Sequence, residues 1–392
     1  MSIGERETLS ASKWLALRSS FPILRSTHYV AACSHAPLCA PVEAAINRCM
    51  DSWRTAGNPW EADWMPTVAR AAARFANLIG APPASVGINA SVSAATGAIL
   101  SAIDFQHRSR VVVSTLDFPT IPDILLAYRQ QGDIELEVLP ERNGEVPLES
   151  YERAIDERTA LVCISSASYA TGARLPIQQV AELARARGAL SLVDAFQTAG
   201  ALTIDIDQLQ PDFLITGTLK YLLGCSGVGF MYVRPEVAEQ LEPRNIGWHA
   251  AANPFGTSYD HLEYAAGAAR FQGGTFSVPG CYAAEAALDL VHEIGIHAIE
   301  QRVLYLSQRF ARGLAEIGVQ PAGPTDAAKL GPMVAVPVQG DAHEWQERLR
   351  REESVITAAR GSCLRFAFHF YNDEADVDAC LDVVQRRLRH QW

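Results

Sequence analysis

From Arg110 to Val233 the chain alternates short apolar runs with helical stretches, and this alternation restricts the fold more than any other feature of the sequence. The runs are Val111-Val112-Val113, Ile134–Leu139, Leu161–Ile164, Ala189–Val193, Phe213–Ile215 and Val228–Val233. Most are rich in Val, Ile and Leu with no polar alternation, so they read as strands buried on both faces. Between them, Ile124–Gln131 and Ile177–Arg187 have helical apolar spacing. Strands of this kind separated by helices build a mostly parallel sheet covered on both sides. In such sheets a ligand sits beyond the carboxyl ends of the strands. Four polar segments fall there: Ser114–Phe118, Ser165–Tyr169, Asp194–Gln197 and Thr216–Lys220.

The flanks extend this outline. Helices are expected at Ser10–Arg18, Pro41–Arg54 and Trp64–Leu78, the last stopped by Ala81-Pro82-Pro83. Ala90–Gly97 is a small, hydroxyl-rich stretch leading into a helix at Ala98–Ile103. A helix start of this type suits a phosphate, and it equally suits an ordinary serine cap. Residues 240–280 have little periodicity. Then come a long helix over Tyr282–Gly313, a strand at Met333–Val338 and a helix at Ala342–Arg351. Strands at Val355–Ala358 and Cys363–Phe368 and a helix at Ala375–Leu388 follow. The expected division is an N-terminal segment (1–55) packing on the small domain, a large cofactor-binding domain (56–270) and a smaller α+β C-terminal domain (271–392).

Charge narrows the partners. The 392 residues carry a formal net charge of −11, which argues against nucleic acid or an anionic membrane as partner. No run of about 18 apolar residues occurs, and Met1–Ser20 lacks an apolar signal core, so a soluble, cytoplasmic protein is expected. The eight cysteines form no CxxC pair and read as reduced thiols, with no metal site expected. Lysine is scarce. Of 33 basic residues only Lys13, Lys220 and Lys329 are lysines, leaving 33 − 3 = 30 arginines.

Asp194 closes one apolar run and Lys220 follows the next. A carboxylate at a buried strand end is costly unless it meets a cation, whether an arginine or a bound group. A lysine in an enclosed turn loses its charge readily, which suits an amine nucleophile. Lys13 lies in the polar lead-in and Lys329 in the Asp326–Leu330 loop, so Lys220 is the placed candidate. A carboxylate for a pyridine nitrogen and an amine for a Schiff base are what pyridoxal 5'-phosphate (PLP) requires.

With Val193-Asp194-Ala195-x-Gln197, then a strand, then Lys220 before the glycine hairpin Gly224-Cys225-Ser226-Gly227-Val228-Gly229, the chain resembles the class V aminotransferase superfamily. These are fold-type I PLP enzymes, among them cysteine desulfurases, selenocysteine lyases, kynureninases and isopenicillin N epimerase-like proteins. The resemblance runs from Tyr29 to Leu388. It implies a mostly parallel seven-stranded sheet covered by helices, with a smaller α+β domain. It implies that Lys220 holds PLP and later moves the Cα proton, and that Asp194 faces the pyridine nitrogen. Gln197 would bond the phenolic oxygen or the phosphate region, and Phe118 would stack on the ring. Ser93 and Ala94 occupy the phosphate-cup position, with Thr218 near it. Trp248 and Thr275 would reach the phosphate from a second subunit, making a homodimer with a shared site. Arg365, in Arg-x-x-x-x-x-Tyr-Asn, would clamp the substrate α-carboxylate. Ser34, His35, Tyr169 and His369 fall where the substrate side chain would lie.

The departures from that family are informative. Only Arg360-Gly361-Ser362-Cys363-Leu364 separates the strand near Ala358 from Arg365, so Cys363 is not placed as a mobile persulfide carrier. Ile121 stands where kynureninases carry an acidic residue, which argues against kynurenine hydrolysis. The expected activity is therefore lyase- or hydrolase-type cleavage of a small α-amino acid without a persulfide cysteine. Aminotransferase or epimerase chemistry is the alternative, and a non-catalytic relative ranks below both. A nicotinamide protein would show GxGxxG after its first strand, and the chain has none there.

Overall fold

A computed structural model describes residues 9–256 and 258–388; residues 1–8 of the polar lead-in and the last four residues lie outside the described residues. The central sheet has seven strands: β1 (Val86–Asn89), β2 (Arg110–Ser114), β3 (Glu135–Leu139), β4 (Thr159–Ser165), β5 (Leu190–Asp194), β6 (Phe213–Gly217) and β7 (Gly229–Val233). Their spatial order is β1-β7-β6-β5-β4-β2-β3. Strands β2 to β6 run parallel, and β7 is antiparallel to both of its neighbours. The expected mostly parallel, helix-covered sheet is thus present. Strand β1 was not foreseen, because Val-Gly-Ile-Asn is too short to carry a periodic signal.

Strands β4, β6 and β7 are buried at every residue, and β5 at every residue after Leu190. Helices Met65–Leu78, Ile177–Ala186 and Val278–Ile294 lie over one face. Phe75 of the first stacks on Phe230 of β7 at 4.6 Å, the planes 5° apart. Helix Val92–Ala102 covers the other face with Ile99 and Leu100. It starts six residues earlier than its apolar pattern suggests, because Ser91 accepts the Ala94 amide and caps it.

A second, antiparallel sheet holds β8 (Met333–Pro337), β9 (Ala358–Arg360) and β10 (Cys363–Ala367) in the order β9-β10-β8. The single strand expected at Val355–Ala358 is divided. Val355–Ile356 pairs with His28–Tyr29 in a separate parallel ladder, and β9 begins after Thr357. The long helix expected over Tyr282–Gly313 is two helices, Val278–Ile294 and Ile296–Glu316. Gly295 between them has φ +88°, a conformation glycine adopts without steric cost.

The N-terminal segment is tied to the C-terminal one by a buried carboxylate. Asp376 accepts from Arg18 at 2.6 and 3.1 Å, from His28 at 2.8 Å and from Asn372 at 2.9 Å. With the Asp373 amide at 3.2 Å, five donors offset the cost of burying that charge, and its pKa is held low, the donors outweighing the opposing effect of burial. Asn372 also bonds the Tyr29 carbonyl, so the segment before Ser34 is fixed to the end of the chain.

Candidate active site

Strands β4, β5 and β6 end together, with Ser165 opposite Asp194 and Asp194 opposite Ile215. Asp117 fastens this rim. One oxygen accepts the Ser114 amide and hydroxyl, and the other accepts the Ser165 amide at 2.6 Å. Beyond β6 the chain bends at Thr218–Lys220 and turns Lys220 inward. A small cavity results, lined by Asp194, Gln197 and Lys220 with Phe118, Tyr169 and Phe196.

The amine and the carboxylate are both buried, with Lys220 8% and Asp194 4% exposed. Lys220 Nζ lies 4.0 Å from the Phe196 ring centroid and 5.3 Å from that of Phe118. Ring faces attract an ammonium but solvate it far less than water does. Burial accordingly pushes the Lys220 pKa down to about 8, against the opposing pull of Asp194. Burial likewise pushes Asp194 up to about 6, although the Phe196 amide donates to it at 2.8 Å. Phe196 is held over the site by β6. A Cβ on Gly217 would overlap its ring, so this close approach requires glycine.

The other cavity groups come from distant parts of the chain. Gln197 donates to the Cys33 carbonyl at 3.2 Å, and its own side-chain carbonyl oxygen is buried without a partner among the described residues. Phe118 meets Tyr169 edge-to-face at 5.1 Å. Arg365, on β10, donates to the Ala358 carbonyl at 3.2 Å and to the Tyr169 carbonyl at 2.9 Å. His369 locks the turn after Lys220. Its Nδ1 accepts from the Phe370 amide and its Nε2–H donates to the Tyr221 carbonyl, both at 2.8 Å. Burial drives its pKa down to about 4, so it serves as a neutral strut and not as a proton carrier.

The remaining predicted residues stand further out. Ser34 and His35 are exposed on a loop whose Cys33 carbonyl bonds Gln197 and whose Ala36 amide bonds the Leu219 carbonyl, next to Lys220. The His35 Nδ1–H donates to its neighbour's carbonyl. Ser93 is exposed and meets Thr120 at 3.3 Å. Ala94 gives its amide to the cap, so the amides left for an anion at that helix start are those of Val92 and Ser93. Thr218 donates its hydroxyl to the Cys225 carbonyl at 2.6 Å and closes the turn. Trp248 stacks on Trp60 at 6.3 Å, while Thr275 is exposed nearby, past the Gly247–Gln272 hydrogen bond. Neither lines the Lys220 cavity within one chain.

Three contributors were not singled out from sequence. Phe196 is the unspecified position in Asp-Ala-x-Gln, Asp117 precedes the noted Phe118, and Arg360 reads as an ordinary strand-end arginine.

The donor set fits PLP. The amine is depressed toward neutrality. The carboxylate keeps one oxygen free of hydrogen bonds from the described residues, as a cationic ring nitrogen requires. Among the described residues the buried Gln197 amide oxygen has no donor, and two helix-start amides remain. The lysine environment is testable without any cofactor. Competitive acylation of the apo-protein should show Lys220 half-reactive near pH 8, and Lys329 only above the ordinary lysine range, because Glu145 pairs with it. A Lys220 midpoint above pH 10 would contradict this site.

Comparison with known proteins agrees with this geometry. Residues 60–380 match the family described as aminotransferase class-V. The chain is 34% identical over 374 residues to the uncharacterized aminotransferase YcbU of Bacillus subtilis (strain 168), covering 95% of this chain and 98% of that one. It is 28% identical to isopenicillin N epimerase of Streptomyces clavuligerus over 79% of this chain and 82% of the other. Among solved structures, a mutant of C-DES with glycine covalently linked to its PLP cofactor superposes with a TM-score of 0.85. That pair is 22% identical, over 94% of this chain and 99% of the other. A buried lysine and aspartate at the carboxyl end of a fold-type I sheet, together with these matches, establish that the chain belongs to the class V aminotransferase family, whose cofactor is pyridoxal 5'-phosphate.

Proposed function

We propose that the protein cleaves a small α-amino acid by lyase- or hydrolase-type chemistry, with the cofactor held covalently by Lys220. The observation that carries this reading is the burial of Lys220 and Asp194 together under Phe118 and Phe196. When bound, PLP supplies an electron sink for charge developing at the substrate Cα. Asp194, ionised at neutral pH, favours positive charge on the ring nitrogen and so deepens that sink. Lys220, with a pKa of about 8, is poised both to accept and to return a proton at Cα. Arg365 has further N–H groups beyond the two that hold carbonyls, and these orient the α-carboxylate. Phe118 and Tyr169 exclude water from the reacting face. Trp248 and Thr275 are read as completing the phosphate site of a second copy, which makes the dimer the active unit.

The setting of Cys363 supports chemistry without a persulfide. It lies half-buried on β10, paired with Arg360, and burial pushes its thiol pKa up. A carrier thiol needs mobility and a lowered pKa. The description of YcbU as an aminotransferase keeps transamination as the second reading. Two measurements decide. Borohydride reduction should fix the cofactor on Lys220, and an unmodified Lys220 would sink the proposal. A panel of amino acids assayed for pyruvate, ammonia, sulfide and alanine should give cleavage products, and Cys363→Ser should leave their yield intact. Stoichiometric keto acid with no cleavage would favour transamination.

A further inference from the structure

The β9–β10 hairpin brings two arginines to one face. In its antiparallel register Ala358 pairs with Arg365 and Arg360 with Cys363. Directly paired residues share a face, as do residues two apart on one strand, so Arg360 and Arg365 project together. Both reach Tyr169. Arg365 donates to its carbonyl at 2.9 Å, and the Arg360 guanidinium lies 5.6 Å from its ring centroid and 5.7 Å from that of Phe118. Both positive charges are felt at the Lys220 amine.

Their settings differ in a way that separates their tasks. Arg365 is 3% exposed and partly saturated by carbonyls. Arg360 is exposed, and among the described residues its side chain pairs with no carboxylate and gives no hydrogen bond. The surface arginines Arg309, Arg348 and Arg386 all find a carboxylate. Arg360 instead rests on the two rings that cover the cavity. Cation–π contact with the two rings holds the guanidinium at the cavity rim while leaving its N–H groups open, which is the state that captures an oxyanion.

We propose that Arg360 is a specificity-determining residue that binds the side-chain anion of the substrate. The site then selects α-amino acids whose side chain ends in a carboxylate or an isosteric oxyanion. This rests on the assignment of Lys220 to the cofactor and Arg365 to the α-carboxylate. A neutral side chain leaves the Arg360 fork unmatched, whereas an acidic one gains a charge-assisted pair at the rim of a partly desolvated site.

The test compares succinate with butyrate, four-carbon acids that differ by one carboxylate, in calorimetric titrations of the holoenzyme. Wild type should bind succinate at least about tenfold more tightly, the scale of one charge-assisted hydrogen bond. Arg360→Ala should bring the ratio near one, and Arg360→Lys should retain part of it. Equal affinities in wild type, or a ratio unchanged in Arg360→Ala, overturns the proposal. A second measurement follows the cofactor absorbance band with aspartate and glutamate against asparagine and glutamine. The acids should perturb the band at concentrations at least about tenfold lower. A band that answers the amides equally well overturns the substrate class while the Lys220 assignment stands. A protein that holds no cofactor on Lys220 fails that assignment, and the succinate preference, measured on the same protein, still decides the role of Arg360.

Discussion

Lys220→Ala is expected to lower turnover by at least about 10⁴-fold, because it removes both the covalent anchor and the proton carrier at Cα, and the second alone contributes about 10² to 10⁴. Neither remaining lysine can substitute. Lys329 is exposed and paired with Glu145, and Lys13 is exposed on an N-terminal helix. The fold should survive. In the cofactor-free protein the folded pKa of Lys220, about 8, lies below its unfolded value of 10.5. The stability contribution of such a group is complete above pH 10.5 and is lost as pH falls through 8, so at pH 7 the buried ammonium is a liability. The difference, 10.5 − 8 = 2.5, corresponds to about 3 kcal/mol at full protonation. Lys220→Met, which fills the space without the charge, relieves part of this. The apo Lys220→Met protein should therefore melt within a few degrees of wild type at pH 7. Its margin over wild type should shrink above pH 10. Turnover above about 1% of wild type in either variant would assign the chemistry elsewhere.

The strand–helix alternation made the sheet legible because parallel strands are apolar on both faces, and that pattern survives in a single sequence. Asp194 and Lys220 were legible for a related reason, since polar groups at the ends of such strands are costly unless used. The misses lie where local pattern carries no information. β1 is four residues long and owes its place to pairing with β7. The break at Gly295 is one residue in a long apolar periodicity. Phe196 and Arg360 became site residues only when tertiary structure laid one against Gly217 and the other over Phe118 and Tyr169. Thr218 shows the converse, a hydroxyl at a suggestive position that the turn itself consumes.

Asp194→Asn is the second large effect, and it separates function from stability. Asparagine keeps the shape and the acceptor for the Phe196 amide, and it removes the charge. Without that charge the ring nitrogen is no longer held positive. Turnover should fall by about 10² to 10³, the usual cost of losing one preorganised electrostatic partner, while the cofactor remains attached to Lys220. Lys220 should become less basic still, because the Asp194 charge is what opposes its desolvation, so its acylation midpoint should move below pH 8. Stability should move the other way. The folded pKa of Asp194, about 6, lies above its model-compound value of 3.8. Stability from such a group is present below pH 3.8 and is lost as pH rises through 6. At pH 7 the ionised carboxylate therefore costs about 3 kcal/mol, from 6 − 3.8 = 2.2. The apo Asp194→Asn protein should melt higher than wild type at pH 7, and this advantage should vanish near pH 4. A residue retained against stability is one kept for chemistry. A variant that melts lower at pH 7 and keeps wild-type turnover would show instead that Asp194 belongs to the scaffold.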